Sequence, residues 1–262
     1  MRISSLQVAV DDGETVVERV ERVAALVRDQ RGADLVVLPE LWAHGAFDAE
    51  AWEEVAEPLD GPTVKTMQEV AAELGTHLHA GSVLERAPDG QLFNTALLLG
   101  PDGHVQATYR KIHRFGFDRG EAVLMSAGDE VVVHRAPFGP VGLSTCYDLR
   151  FPELYRALLD RGAELAVVVA SWPDRRIGHW RLLAQARAVE DQYVLVACNA
   201  VGTHAGTTLG GHSLVVDPWG EILAEAGDGE EVLTVDVDLD VVPRTRERFP
   251  VLRDRRLRDR AV

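Results

Sequence analysis

Cysteine is used only twice in these 262 residues. One of the two, Cys146, stands in GLSTCYDLRFPE, where an apolar strand stops and a charged turn leads into a helix. A cysteine attacks carbon as the thiolate, and a helix N-terminus together with a nearby ammonium lowers a thiol's pKa. The turn after Cys146 is expected to offer the first, and Lys111, which follows VQATYR, could supply the second. Glu40, which follows LVVLP, brings a carboxylate that can take the thiol proton and later activate water. The ammonium can also stabilise a tetrahedral oxyanion, joined by a backbone N–H just past the nucleophile. Singly, each residue has a blander reading. A free cysteine is commonly a small core residue, and Cys198, mid-strand in YVLVACNAV, is read that way. Glu40 could open a helix, and Lys111 could end a strand in water. The set says more, because all three follow apolar strands, and in layered α/β folds side chains converge on a pocket at strand ends.

The elements that must hold these residues follow from hydrophobic period. ISSLQVAV reads as a strand, and apolar positions 16, 20, 23 and 27 make a helical stripe between Glu14 and Arg28. ADLVVLPE is a short, continuously apolar strand of the kind buried on both faces. Val64, Met67, Val70 (or Ala71) and Leu74 mark a second helix, and HLHAGSVLER, NTALLLG and HVQATYRK are strands with turns at APDGQ and GPDGH. The second half repeats the plan. EVVVHRA and PVGLSTC are strands, and FPELYRALLDRGA is a helix with Pro152 near its first turn. LAVVVAS is a buried strand, IGHWRLLAQARAVEDQ a helix and YVLVACNAVG a strand. HSLVVDPWGEILAEA is a hairpin, and EVLTVDVDLD closes the sheet. Strands outnumber helices, and hairpins mix with crossovers. This predicts an α/β protein, a four-layer α-β-β-α sandwich of two mixed sheets packed face to face. A dinucleotide-binding sheet would need a glycine fingerprint that is missing.

Length and composition set the frame. A chain of 262 residues with 46% hydrophobic and 26% charged content is long enough for one well-buried domain, expected over residues 1–243. No apolar run approaches the ~20 residues of a membrane span. The N-terminus turns acidic too early for a signal peptide, and two cysteines without an export signal suit the reducing cytoplasm. The net charge of −15 argues against nucleic acid and anionic membrane as partners. Residues 244–262 form an Arg-rich C-terminal arm: eight arginines from Arg244 to Arg260 against Glu247, Asp254 and Asp259 give +5 on a body of −20. A solvated end is one reading. An arm lying on an acidic surface, its own or a partner's, is the other, favoured by Phe249, Pro250, Val251, Leu252 and Leu257.

LVVLPEL, YRKIHRF and STCYDLRFPE resemble, in order and spacing, the three signature blocks of the nitrilase superfamily of carbon–nitrogen hydrolases, and the likeness extends from LQVAV to FPVLRDRR. The resemblance implies that Glu40 is the base, Lys111 holds the oxyanion and Cys146 attacks. Glu121, seven residues before Gly128, matches a second glutamate of the family. Nitrilases proper usually carry Trp and Glu after the cysteine, whereas Tyr147 and Asp148 follow here. CYDLRFPE, RAVEDQ and HSLVVDPWG look most like the small ω-amidases, while GFDRGEAVLMSAG is a shorter, more arginine-rich loop than that branch suggests. The implied reaction is hydrolysis of a short carboxylate amide, 2-oxoglutaramate or succinamate, to the acid and ammonia through a thioester, with no cofactor or metal. Deaminated glutathione amidase, N-carbamoyl amide hydrolase and a silent binding member stay open. An ammonia-supplying domain would need a phosphate loop that is missing.

An anionic acyl chain on an acidic body needs a local cation. Arg150, four residues past Cys146, is the first candidate for it, unless it pairs with Asp148 or Glu153; Arg175 and Arg176 are alternatives. Tyr147 and Trp172 complete the candidate substrate contacts. His77 and His79 share a strand face but lack a third metal ligand, and His113 and His212 read as supporting residues. A homodimer or larger homo-oligomer is expected, its two-fold axis near the CYDLRFPE and IGHWRLLAQARA helices and the arm as a clamp.

Overall fold

The computed structural model describes residues 1–257; Arg258, Asp259 and Arg260 of the basic arm lie outside the described residues. The first half runs β1 (Arg2–Gln7), α1 (Val16–Arg28), β2 (Leu35–Val37), a short α2 (Trp52–Val55), α3 (Pro62–Leu74), β3 (His77–Arg86), β4 (Leu92–Leu99), β5 (Val105–Arg110) and a single-turn α4 (Glu121–Leu124). The second half runs β6 (Val133–Ala136), β7 (Gly139–Thr145), a 3₁₀ turn (Cys146–Arg150), α5 (Pro152–Asp160), β8 (Leu165–Ala170), α6 (Ile177–Asp191) and β9 (Val194–Asn199). It continues through β10 (Val201–His204), β11 (Thr207–Gly210), β12 (Leu214–Val216), β13 (Ile222–Glu225), β14 (Glu231–Asp236) and α7 (Val241–Arg248).

Two six-stranded sheets result, ordered β14-β1-β2-β3-β4-β5 and β13-β12-β9-β8-β7-β6. Each has three parallel strands, β1-β2-β3 and β7-β8-β9, flanked by antiparallel ones. Parallel neighbours need crossovers, which α1, α3, α5 and α6 supply; helices on one side and the second sheet on the other bury both faces. That is why β2 (LVV) and β8 (LAVVVA) are apolar without alternation and fully buried. The helices start and stop for local reasons. Thr15 and Glu18 form a reciprocal capping box on α1. Pro62 opens α3, and Gly75, left-handed at φ 64°, ends it.

The layers are α1/α3, first sheet, second sheet, α5/α6. Val23, Val27, Val64 and Met67 pack with Val36 and Leu38 on the outer face of the first sheet. Val37 and Ala96 join Leu143, Val167 and Val196 in the cluster that spans the two sheets. Cys198 sits in that middle layer, its sulfur 3.4 Å from the Leu6 carbonyl and 3.5 Å from that of Val37, and burial pushes its thiol up to about 12.

The observed elements depart from the sequence reading at one strand. YVLVACNAVG is not one strand: β9 ends at Asn199, and Val201 begins a separate hairpin, β10–β11, turning at Ala205 and Gly206 with φ 45° and 71°. The helix after Cys146 starts at Pro152, as read from FPELYRALLDRGA, with the 3₁₀ turn between. The arm is folded onto its own chain from Val241. Val242 is fully buried, and Arg246 donates to the carbonyls of Gln192 (3.1 Å) and Ala163 (3.0 Å). Gln192 Nε2 returns a bond to the Phe249 carbonyl, and Arg255 pairs with Asp160 at 2.6 Å.

Candidate active site

Glu40, Lys111, Glu121 and Cys146, separated by up to 106 positions, line one cavity of about 740 Å³. Glu40 follows β2, where the chain turns through Leu41 at φ 44°. Gly81, at a register shift in β3, permits the close approach, because a Cβ there would collide with the Pro39 carbonyl. Ser82 Oγ then accepts from Leu41 N at 3.0 Å. Lys111 continues β5: its backbone N–H donates to Asn94 O (2.9 Å), and Gly128 N–H donates to its carbonyl (2.9 Å). Cys146 ends β7 with φ 47°, a left-handed corner that a β-carbon makes costly. Strained backbone of this kind gathers at functional sites.

One polar network joins the lysine and both carboxylates. Lys111 Nζ donates to Glu40 Oε1 and to Glu121 Oε2, both at 2.7 Å. Asn94 Nδ2 bridges the same carboxylates, 2.8 Å from Glu40 Oε1 and 2.7 Å from Glu121 Oε1. Phe115 N–H donates to Glu121 Oε2 (2.8 Å), and Ser171 N–H to Glu40 Oε2 (2.8 Å). Ser171 Oγ also donates to the Glu40 carbonyl at 2.8 Å, tying the end of β8 to the end of β2 and so one sheet to the other. An ammonium has three N–H donors. Two of those on Lys111 go to the carboxylates, which leaves one for the cavity.

Burial and charge decide the protonation states. Burial works against the Lys111 ammonium, but Glu121 and Glu40 outweigh it and hold its pKa well above the ordinary value. Burial raises Glu121, and the Glu40 charge adds to it, against the pull of Lys111. The Cys146 thiol is raised well above its usual value, first by burial and then by the charge of Glu40, with Lys111 opposing. The sequence reading had the helix and the ammonium lowering this pKa. The helix starts six residues on, and burial, with the Glu40 charge behind it, reverses the sign. A resting thiol beside a carboxylate suits proton transfer during attack rather than a standing thiolate.

Aromatic rings wall the cavity, among them Phe47, Phe115, Phe117 and Tyr147, with Phe115 edge-on to Tyr147 at 5.3 Å. Arg150, Arg175 and Arg176 also line it. The Arg150 guanidinium lies over the Trp172 ring at 4.7 Å and 3.4 Å from His179 Nδ1. Arg176 lies over Phe115 at 5.3 Å, and its pKa is lowered by burial and by the charges of Arg175 and Arg150. No carboxylate among the described residues pairs with any of the three. Asp148, the partner first considered for Arg150, is buried and bonded elsewhere. Trp172 is buried in a side recess with Cys146 and Arg150, and its Nε1 donates to the Arg176 carbonyl at 2.9 Å.

The four histidines weighed from sequence, His77, His79, His113 and His212, do not line the cavity. His77 packs edge-on against Phe138, and burial holds His79 down at about 4. His113 bonds Asp148, and His212 bonds Glu225 and Asp228. Sequence reasoning missed Asn94 and Ser171. The one signal for Asn94 was a lone amide in the apolar strand LFNTALLL.

A family model described as carbon–nitrogen hydrolase matches residues 2–247. The chain is 44% identical over 262 residues to a 2-oxoglutaramate amidase of Paenarthrobacter nicotinovorans, covering 97% of this chain and 89% of that protein. It is 37% identical over 249 residues to the omega-amidase NIT2 of Homo sapiens, covering 91% and 90%. The structure of XC1258 from Xanthomonas campestris, a CN-hydrolase superfamily protein with an arsenic adduct in its active site, superposes with a TM-score of 0.91. The two are 32% identical, with 99% of this chain and 98% of that one covered.

Proposed function

The chain belongs to the carbon–nitrogen hydrolase family and is an amidase, and from that premise we propose that it hydrolyses a short amide bearing a distal carboxylate, 2-oxoglutaramate or succinamate, through a thioester on Cys146. One observation carries the substrate class. Three guanidiniums, Arg150, Arg175 and Arg176, share the cavity with Cys146 and have no carboxylate partner among the described residues. Clustered cations that repel one another favour an anionic ligand. The names of the amidase relatives point the same way.

In the proposed reaction, Glu40 takes the thiol proton as sulfur bonds to the amide carbon. The remaining N–H of Lys111 and the Tyr147 amide, at the start of the 3₁₀ turn, stabilise the oxyanion. Glu40 then gives its proton to the nitrogen; the carbon–nitrogen bond breaks and ammonia leaves. Water, deprotonated by Glu40, attacks the thioester, and sulfur departs with the proton. Glu121 and Asn94 hold Lys111 and Glu40 in place. This chemistry is assigned to a single domain over residues 1–243, with 244–262 as an arm. A homodimer and a cytoplasmic location complete the reading: an apolar face follows α6, and both thiols are free and buried.

The test is ammonia release from succinamate and from a neutral amide of equal length. A charge-assisted bidentate contact is worth about 1.5–3 kcal/mol, so Arg150→Lys or Arg176→Lys should lose one to two powers of ten with succinamate and little with the neutral amide. Equal losses on both substrates would make these arginines structural. A wild type that prefers the neutral amide would end the carboxylate reading and leave the amidase.

A further inference from the structure

Asp148 is fully buried two residues after Cys146, and its two oxygens collect four donors. Oδ1 accepts from His113 N–H (3.0 Å) and bonds His113 Nδ1 (2.7 Å). Oδ2 accepts from Tyr109 Oη–H (2.6 Å) and Thr145 N–H (2.9 Å). Thr145 immediately precedes Cys146, while Tyr109 and His113 stand two residues to either side of Lys111. Tyr109 Oη also accepts from Ile112 N–H at 3.3 Å, and the His113 ring stacks on Phe151 at 3.8 Å, just past the nucleophile's turn. One carboxylate therefore staples the segment that carries the lysine to the corner that carries the cysteine. The corner needs such a constraint, since Cys146 is left-handed.

We infer that Asp148 is a positioning residue that sets the placement of Lys111 relative to Cys146 and so the rate of thioester formation, touching no substrate itself. The inference rests on the roles assigned above to Cys146 and Lys111. Its chemistry is specific to a carboxylate. Each oxygen receives one backbone N–H, whereas an asparagine offers one acceptor and one NH₂. In either orientation Asp148→Asn points that NH₂ at the N–H of Thr145 or of His113, leaving the latter without an acceptor.

The experiment measures kcat and KM per titratable Cys146 thiol with succinamate, or with the neutral amide above if wild type turns that over instead. Asp148→Asn should lower kcat about ten- to a hundredfold, the scale of an ångström misplacement, while KM changes less than about threefold. Tyr109→Phe, which keeps the carboxylate and three of its donors, should cost a few-fold in kcat and cover the case in which Asp148→Asn folds poorly. Added to Asp148→Asn it should cost nothing more, because the two act through one staple. Variants that lose melting temperature but keep kcat per intact thiol would overturn the inference, as would losses that multiply. Cys146→Ala is run alongside. If it stays active, the nucleophile assignment is what failed; if it is inert while Asp148→Asn keeps its kcat, only the positioning role is lost.

Discussion

At Cys146 the carboxylate of Glu40 raises the thiol's pKa and is also the group placed to receive its proton. Glu40→Gln separates these effects. Removing the charge should let the thiol pKa fall, so alkylation of Cys146 by iodoacetamide should accelerate at neutral pH and its pH profile should move to lower pH. Ammonia release should drop about 10²- to 10⁴-fold with loss of the base. An alkylation profile that stays put or moves upward would show that Glu40 does not face the thiol. Glu40, Lys111 and Cys146 were legible because a charged or reactive residue directly after an apolar strand stands out in the sequence. The sign of the thiol's shift was not, since it depends first on burial and then on how close residue 40 comes to residue 146, neither of which spacing along the chain encodes. Ser171 was silent for another reason: a small polar residue at a strand end usually caps a turn.

Among the elements, α6 carries a misfit at its end. Asp191, its last residue, is buried, and burial raises its carboxyl to about 6 against the pull of Arg156 at 2.8 Å. A helix C-terminus disfavours negative charge as well. A folded value above the ordinary 3.8 means the protonated form is favoured by folding, so this stability is present in acid and is lost as pH rises through about 4 to 6. Asp191→Asn should therefore raise the unfolding free energy at pH 8, by up to about 3 kcal/mol, and much less at pH 4, as read by denaturant unfolding. A loss of stability at pH 8 would mean that the Arg156 pair outweighs burial. The long elements were legible from period: β3 has the bounds read from HLHAGSVLER, and α3 begins one residue before Thr63. The β10–β11 break was not, because Ala200 and Val201 continue an apolar run and only the tertiary pull of Ala9, bridged to Val201, ends the strand there.

Over the whole molecule, an apolar face around α6 stands exposed among the described residues. Leu182 is 66% exposed on α6, Val189 stands seven residues on and borders Gly220, and Trp219 (45%) stacks on Phe249 (53%) at 6.0 Å. This face is where the dimer proposed above should close, with the arm contributing Phe249 rather than its arginines, since Arg246 and Arg255 are spent on their own chain. Leu182→Glu together with Val189→Glu should leave circular dichroism unchanged and give monomers by sedimentation at micromolar concentration; wild type running as a monomer would refute the dimer. The residues of the candidate site are divided between the two halves of the chain. Glu40, Asn94, Lys111 and Glu121 precede residue 130, while Cys146 and Ser171 follow it. Strand β14, built from the second half, is hydrogen-bonded along β1 in the first half's sheet. The two halves are therefore laced together rather than laid side by side. In the proposed roles one half holds the base without the nucleophile and the other the nucleophile without the base, and the first half's sheet takes its edge strand from the second.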